Sequence, residues 1–127
     1  MDRIANLLTT LRNAGVVRKE KVVVPYSKYI LSILEALKDG EYVKAVHADP
    51  ENYVIEVVLN YDSNKQHKIT EVKRISRPGR RVYYKITDIN KIRNGFGNVI
   101  LSTPKGIMTG RAARATNTGG EALFEIF

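Results

Sequence analysis

The chain has 127 residues, 43% of them hydrophobic, no cysteine, and 21 Lys and Arg against 13 Asp and Glu, a net charge of +8. That composition is too apolar for a disordered segment, excludes disulfides and cysteine-held metal, and points to a polyanionic partner, nucleic acid ahead of an anionic membrane. The excess is uneven. Residues 1–62 carry eight basic and nine acidic side chains, whereas residues 63–127 carry thirteen and four, −1 against +9. The second half therefore holds most of the attraction for a polyanion. The first residues lack a basic start followed by an apolar run, so no secretory signal is expected. No stretch is apolar for long enough to span a bilayer, and a reducing, cytoplasmic setting suits a chain without thiols.

In chain order, Asp2 is placed to cap a first helix whose Ile4, Leu7, Leu8 and Leu11 fall at i, i+3, i+4 and i+7. Gly15 is expected to end it. The other face carries Arg3, Asn6, Thr9, Thr10, Arg12 and Asn13, and the residues alone leave open a solvated face or a surface laid against a polar partner. Residues 21–24 read as a strand stopped by Pro25. Ser27 can cap a second helix bearing Ile30, Leu31, Ile33, Leu34 and Leu37, with Gly40 just past its end. Lys28 sits in the first turn of that helix, against the dipole, a weak sign of a partner. Residues 42–48 and 53–61 read as strands joined through Asp49-Pro50-Glu51-Asn52. The polar break at Asp62-Ser63-Asn64 is taken as the boundary. The expected fold is α+β in two small domains: an α-β-α-β-β unit over residues 1–62, and a basic, mainly β unit with short helices over residues 63–127.

In the second half, Ile69, Val72 and Ile75 suit a helical period while the composition around them is strand-like, and a strand with a bulge is expected over 68–76. Arg77-Pro78-Gly79-Arg80 reads as a type II turn. Residues 81–85 return as a strand with Tyr83 and Tyr84 on opposite faces. Residues 88–93 suit a short helix, ended by Asn94-Gly95, and Phe96-Gly97 leads into a strand over 98–101. A loop of Ser102, Thr103, Pro104, Lys105 and Gly106 follows. A basic segment with Arg111 and Arg114 comes next, and Gly119 and Gly120 precede a last strand over 121–127.

Five cations, Arg74, Arg77, Arg80, Arg81 and Lys85, flank the Pro-Gly turn with no acid among them, which favours phosphate contact over a solvated turn that blunts a sheet edge. One of the two adjacent tyrosines is expected to be exposed, able to stack on a base or bond a ribose. Ser102 and Thr103 offer neutral donors and acceptors, Lys105 a point charge, and Glu121 an acceptor for a guanine edge or loop amides. His47 and His67 are isolated, no acidic or histidine cluster has metal-ligand spacing, and Ser102 stands in no Gly-x-Ser-x-Gly setting. Neither an enzyme nor a cofactor is expected. The competing class is a DNA-binding regulator, which would need a recognition helix carrying Arg, Asn or Gln toward base edges; the basic half offers no long helix.

The run Ser102-Thr103-x-Lys105-Gly106-x-Met108-Thr109, then Arg111-Ala112-Ala113-Arg114 and Gly119-Gly120-Glu121, resembles the signature of the family of the eighth protein of the small ribosomal subunit, bacterial type. Ile4-Ala5 through Leu11-Arg12-Asn13 resembles the family's first helix, Pro25-x-Ser27-Lys28 the start of its second, and Ser76-Arg77-Pro78-Gly79-x-Arg81-Val82-Tyr83 its central loop. The resemblance implies a non-catalytic protein that acts as a monomer outside the ribosome. It would bind a helix of the central domain of small-subunit ribosomal RNA beside neighbouring ribosomal proteins. Binding would be an early step of assembly, and some family members also repress their own messenger. It assigns RNA contact to Arg12, Asn13, Lys28, Arg77, Arg80, Arg81, Tyr83, Ser102, Thr103, Pro104, Lys105, Gly119, Gly120 and Glu121. Three places depart from the family pattern: Pro104 replaces a usual serine, Gly110 a usual aspartate, and Thr116-Asn117-Thr118 a more apolar stretch.

Overall fold

The computed structural model describes residues 3–69, 71–89 and 98–127. These form two compact units, Met1–Thr70 and Glu71–Phe127. The expected cap at Asp2 and the residues expected to continue and end the helix over 88–93 lie outside the described residues.

In the first unit, helix α1 (Arg3–Val16) buries Ile4, Leu7, Leu8, Leu11, Ala14 and Gly15 along one stripe. Gly15 does not end this helix. The stop comes three residues later, where Arg18 turns left-handed at φ 56°. The Arg18 amide then donates to Gly15 O and the Lys19 amide to Ala14 O at 3.0 Å, the paired bonds of a Schellman end. Strand β1 (Lys21–Pro25) leads to helix α2 (Lys28–Asp39), capped by Ser27, whose hydroxyl accepts from the Ile30 amide at 3.0 Å. Gly40 lies past its end as expected, and the left-handed residue is Glu41 at φ 65°.

Strands β2 (Val43–Asp49) and β3 (Val54–Leu59) are joined by a single 3-10 turn, Pro50–Asn52. Tyr53 does not open the strand but takes φ 57° as the cap of that turn. The three strands form an antiparallel sheet in the order β1-β3-β2. Val24, Ile55, Val57, Leu59 and Val43 are buried with Ile33, Leu34 and Leu37 of α2. The polar break at Asp62 is a closed turn: its carboxylate accepts from the amides of Asn64 and Gln66 at 2.8 and 2.9 Å. The chain returns antiparallel, pairing Tyr61 with His67, and lays the His67 ring on α1. A Cβ at Gly15 would sit 1.9 Å from His67 Nδ1, so this glycine is needed for close approach within the helix.

The second unit is built on a sheet of five strands. Strand β8 (Gly120–Ile126) is central, paired antiparallel with β4 (Val72–Arg74) and β5 (Tyr83–Tyr84) on one edge and with β6 (Asn98–Thr103) on the other; β7 (Gly106–Thr109) pairs outside β6. Helix α3 (Ile86–Ile89) starts before the expected position, and the basic segment with Arg111 and Arg114 is helix α4 (Gly110–Ala115). The strand expected over 68–76 is regular only at β4. Beyond it, the amides of Ile75 and Ser76 still donate to Leu123 O and Ala122 O. Ile89, Val99, Leu101, Ala113 and Ala122 form a buried cluster, with Ile75, Tyr84, Met108 and Phe127 packed against it. No helix among the described residues is long and apolar enough to cross a membrane.

Two outcomes follow for the first unit. Gly15→Ala forces the His67 ring off α1 and should cost about 1–3 kcal/mol in chemical denaturation, the scale of overpacking a core. His67→Ala in the same chain should return part of that loss. Burial also holds the His67 imidazole below its ordinary pKa of 6.5. The unfolded chain therefore takes up this proton more readily, and stability present above pH 6.5 is lost as pH falls through the lowered folded value. The melting temperature should drop on acidification through this window, and His67→Gln should flatten that part of the curve.

Candidate nucleic-acid interface

Two glycines set the geometry. A Cβ at Gly119 would lie 2.6 Å from Tyr84 O, and one at Gly120 would lie 2.3 Å from Ser102 O. Only bare backbone fits there, so β8 enters directly between β5 and β6. The register then sets Tyr83 opposite Glu121, Glu121 opposite Ser102, and Ser102 opposite Ile107. Neighbouring positions Tyr84, Leu101, Ala122 and Met108 belong to the buried cluster or pack on it. Because successive side chains alternate, Tyr83, Glu121, Ser102 and Ile107 form a row on the opposite, open face. With strands about 4.8 Å apart, Tyr83 and Ser102 stand about 10 Å from each other. Residues distant in sequence but assigned together by the family resemblance are thus brought into one line.

Within the row, Glu121 also has a partner inside the chain. Its carboxylate, largely covered, accepts a charge-assisted bond from Arg81 Nη1 at 3.1 Å. It holds a cation in place beside Tyr83. Tyr83 is the exposed tyrosine, at 69%. Tyr84 is half-buried, and its phenol pKa is pushed up first by burial and then by the charges of Glu125 and Asp88.

The expected loop at residue 102 is the tip of a hairpin. Strand β6 continues through Ser102 and Thr103, as suits a residue before proline, and Pro104 and Lys105 form a two-residue tip closed by Gly106 at φ 119°. Open space surrounds Gly106. The two hydroxyls are unequal. Thr103 Oγ1 donates to Gly106 O at 2.7 Å and accepts from the Lys105 amide at 3.2 Å; its proton is committed to the turn. Ser102 has no such side-chain bond among the described residues, and it faces outward in the row. The Lys105 ammonium lies 3.5 Å from Thr116 O at the end of α4, where a cation suits the helix dipole. Helix α4 itself is capped by Thr109, whose hydroxyl accepts from the Ala112 amide. A Cβ at Gly110 would meet Ile89 and Val99 at 2.9 Å, so the glycine that departs from the family pattern lets α4 rest directly on the core. Asn117, in the other departing stretch, supplies the left-handed end of α4 at φ 56°.

Arg77 and Arg80 are exposed on the Pro-Gly turn, which is of the expected kind: Gly79 has φ 84°, and the two arginines exchange backbone bonds at 2.9 and 3.0 Å. The base of that turn is pinned by buried Ser76, whose hydroxyl donates to Val82 O and accepts from the Val82 amide. Arg12, Asn13 and Lys28 belong to the first unit, all exposed, the first two late in α1 and the third at the start of α2. Sequence reasoning did not single out two features. One is a crevice of about 220 Å³ where Arg3, Asn6 and Thr10 meet Tyr26 and Ser27. The other is a groove joining Lys73 and Glu125 to the Pro-Gly turn. Both depend on strand register and helix packing, which leave no local pattern. No group of three or more His, Asp or Glu among the described residues is placed to hold a metal.

Fold and face define a two-unit α+β protein with an open, hydroxyl- and arginine-bearing surface on its second sheet. The family profile described as Ribosomal protein S8 matches residues 2–127. Relatives named "Small ribosomal subunit protein uS8" include one from Desulfitobacterium hafniense, 45% identical over 128 residues, covering 99% of this chain and 97% of the relative. The Afipia carboxidovorans protein is 43% identical over 130 residues, with coverage of 99% and 97%. That of Bacillus cytotoxicus is 43% identical over 124 residues, with coverage of 96% and 94%. The chain belongs to the ribosomal protein S8 family, a family of small-subunit ribosomal proteins.

The unequal hydroxyls give a direct test of the hairpin. Thr103→Val removes both turn bonds and should raise hydrogen exchange at the Lys105 amide about tenfold, the equivalent of about 1.4 kcal/mol. Ser102→Ala should leave that exchange unchanged.

Proposed function

We propose that this chain is a structural constituent of the small ribosomal subunit that binds a helix of the central domain of small-subunit ribosomal RNA, as a monomer and without catalysis. The observation that carries the reading is the cross-strand row of Tyr83, Glu121 and Ser102, ending in the Thr103–Gly106 hairpin, on a chain of the S8 family.

A-form RNA exposes 2′-hydroxyls and base edges in a wide, shallow minor groove. Ser102 supplies a hydroxyl that can donate and accept. Tyr83 supplies a ring for a sugar or unstacked base, and Arg81, steered by Glu121, supplies a guanidinium for phosphate. Gly119 and Gly120 act by letting the row form. Thr103 and Pro104 hold the tip, with one Thr103 lone pair left for RNA. Lys105, Arg77 and Arg80 add attraction to the phosphates, and Arg12, Asn13 and Lys28 add a polar surface on the first unit. Binding through this face would place the protein in early subunit assembly beside other ribosomal proteins.

The test separates charge from readout. Lys105→Ala should weaken binding to a central-domain RNA helix and to a scrambled duplex alike, and flatten the plot of log K against log salt by about one unit. Ser102→Ala should cost roughly 1–2 kcal/mol on the central-domain helix alone, with the slope unchanged. Equal losses on both RNAs for Ser102→Ala would remove the row from specific recognition.

A further inference from the structure

The second unit carries a second basic surface beside the row, one that shares only Arg77 and Arg80 with the phosphate attraction proposed above. Lys73, Arg74, Arg77 and Arg80 line one groove together with Ile75, Val82, Tyr84 and Glu125. The groove has a volume of about 380 Å³; Lys73 stands on the side of Glu125 while Arg74, opposite Phe124, alternates to the other face, so the cations Lys73, Arg77 and Arg80 meet a single carboxylate there. Its walls are fixed. Lys73 is paired in register with Glu125, and the turn bearing Arg77 and Arg80 is pinned at its base by Ser76.

This groove lies on the other side of β5 from the row. Side chains alternate along an extended strand. Arg81 and Tyr83 serve the row, whereas Val82 and Tyr84 line the groove. The central strand agrees. Ile100 pairs with Phe124, yet Leu101 pairs with Ala122, so Leu123 is an extra residue in β8. That slip reverses the alternation. Glu121 therefore stands in the open row, while Glu125, opposite Val99 of the buried cluster, stands on the groove side.

We infer that the groove is a second RNA site, one that takes the phosphodiester backbone of a single strand separate from the helix met by the row. The inference rests on the proposed function for the nature of its ligand only. A concavity of this size admits a nucleotide but not a duplex. A positively charged groove with an aromatic wall is the arrangement that tracks single-stranded backbone with little regard to sequence. Two surfaces on opposite sides of one strand cannot lie against the same stretch of duplex. The protein would then tie an RNA helix to an unpaired segment, and Glu125 would limit the strength of the second contact by offsetting one cation.

The test uses the full chain, a fluorescent short oligouridylate as single-strand probe, and the central-domain RNA helix. Oligouridylate should bind both the free protein and the protein saturated with helix. Lys73→Gln should weaken oligouridylate binding about threefold and flatten its salt slope by about 0.7, with helix binding and the melting temperature unchanged. Glu125→Gln should tighten oligouridylate binding about threefold. Ser102→Ala should show the reverse selectivity, weakening the helix alone. Displacement of oligouridylate by saturating helix, or equal losses on both RNAs for Lys73→Gln, would overturn the second site. Failure of the wild-type protein to bind the helix while it still binds oligouridylate would instead overturn the proposed function and leave the groove standing.

Discussion

The second unit depends on how closely β8 passes between its neighbours. Backbone carbonyls of Tyr84 and Ser102 lie where side chains at Gly119 and Gly120 would have to be, so any larger residue must push β5 or β6 aside. Three consequences follow from that one approach. The sheet closes over the cluster of Val99, Leu101, Ala113 and Ala122; Glu121 comes within reach of Arg81; and Tyr83 and Ser102 fall into one row. Packing and surface chemistry share a cause, so a substitution at Gly120 disturbs both at once.

The first unit repeats the logic with different residues. Gly15 is helical and buried, and its missing side chain is the space occupied by the His67 ring. The chain between Asp62 and His67 returns as a strap over α1, pinned by the Asp62 turn and by the bond from the Tyr61 hydroxyl to Lys19 O. Close approach through glycine, rather than added side-chain bulk, positions a return segment in one unit and a central strand in the other.

Much of this was legible in the sequence where a local rule sufficed. Apolar spacing located α1 and α2, Ser27 marked a cap, and Pro78-Gly79 marked a type II turn. The tyrosine alternation foretold one exposed and one covered ring. The resemblance gathered Tyr83, Ser102 and Glu121 before any register was known. Reading failed where two meanings compete for one residue. A glycine at the end of an apolar stripe reads as a stop, yet Gly15 is a packing position and Arg18 is the stop. Small polar residues around Pro104 read as a loop, yet they are the end of one strand, a two-residue tip and the start of another. Thr103 and Ser102 look alike in sequence, but only the hairpin geometry shows that one hydroxyl is committed and the other faces outward. Glu121 gave no sign of Arg81, forty positions away, because that contact exists only across paired strands.

The helix ends hold a last consequence. In α1, α2 and α4 the left-handed turn falls on Arg18, Glu41 and Asn117 rather than on glycine. For residues with a Cβ this conformation costs about 1 kcal/mol, least for asparagine. The strain sits at exposed positions, and two of them, Arg18 and Glu41, belong to the first unit, so substitution there can take up this slack without altering a residue of the row or the groove. The scaffold can therefore absorb a destabilising change at the row or the groove and recover the loss at its helix ends, which lets those surfaces vary more freely than the tightly packed strands beneath them.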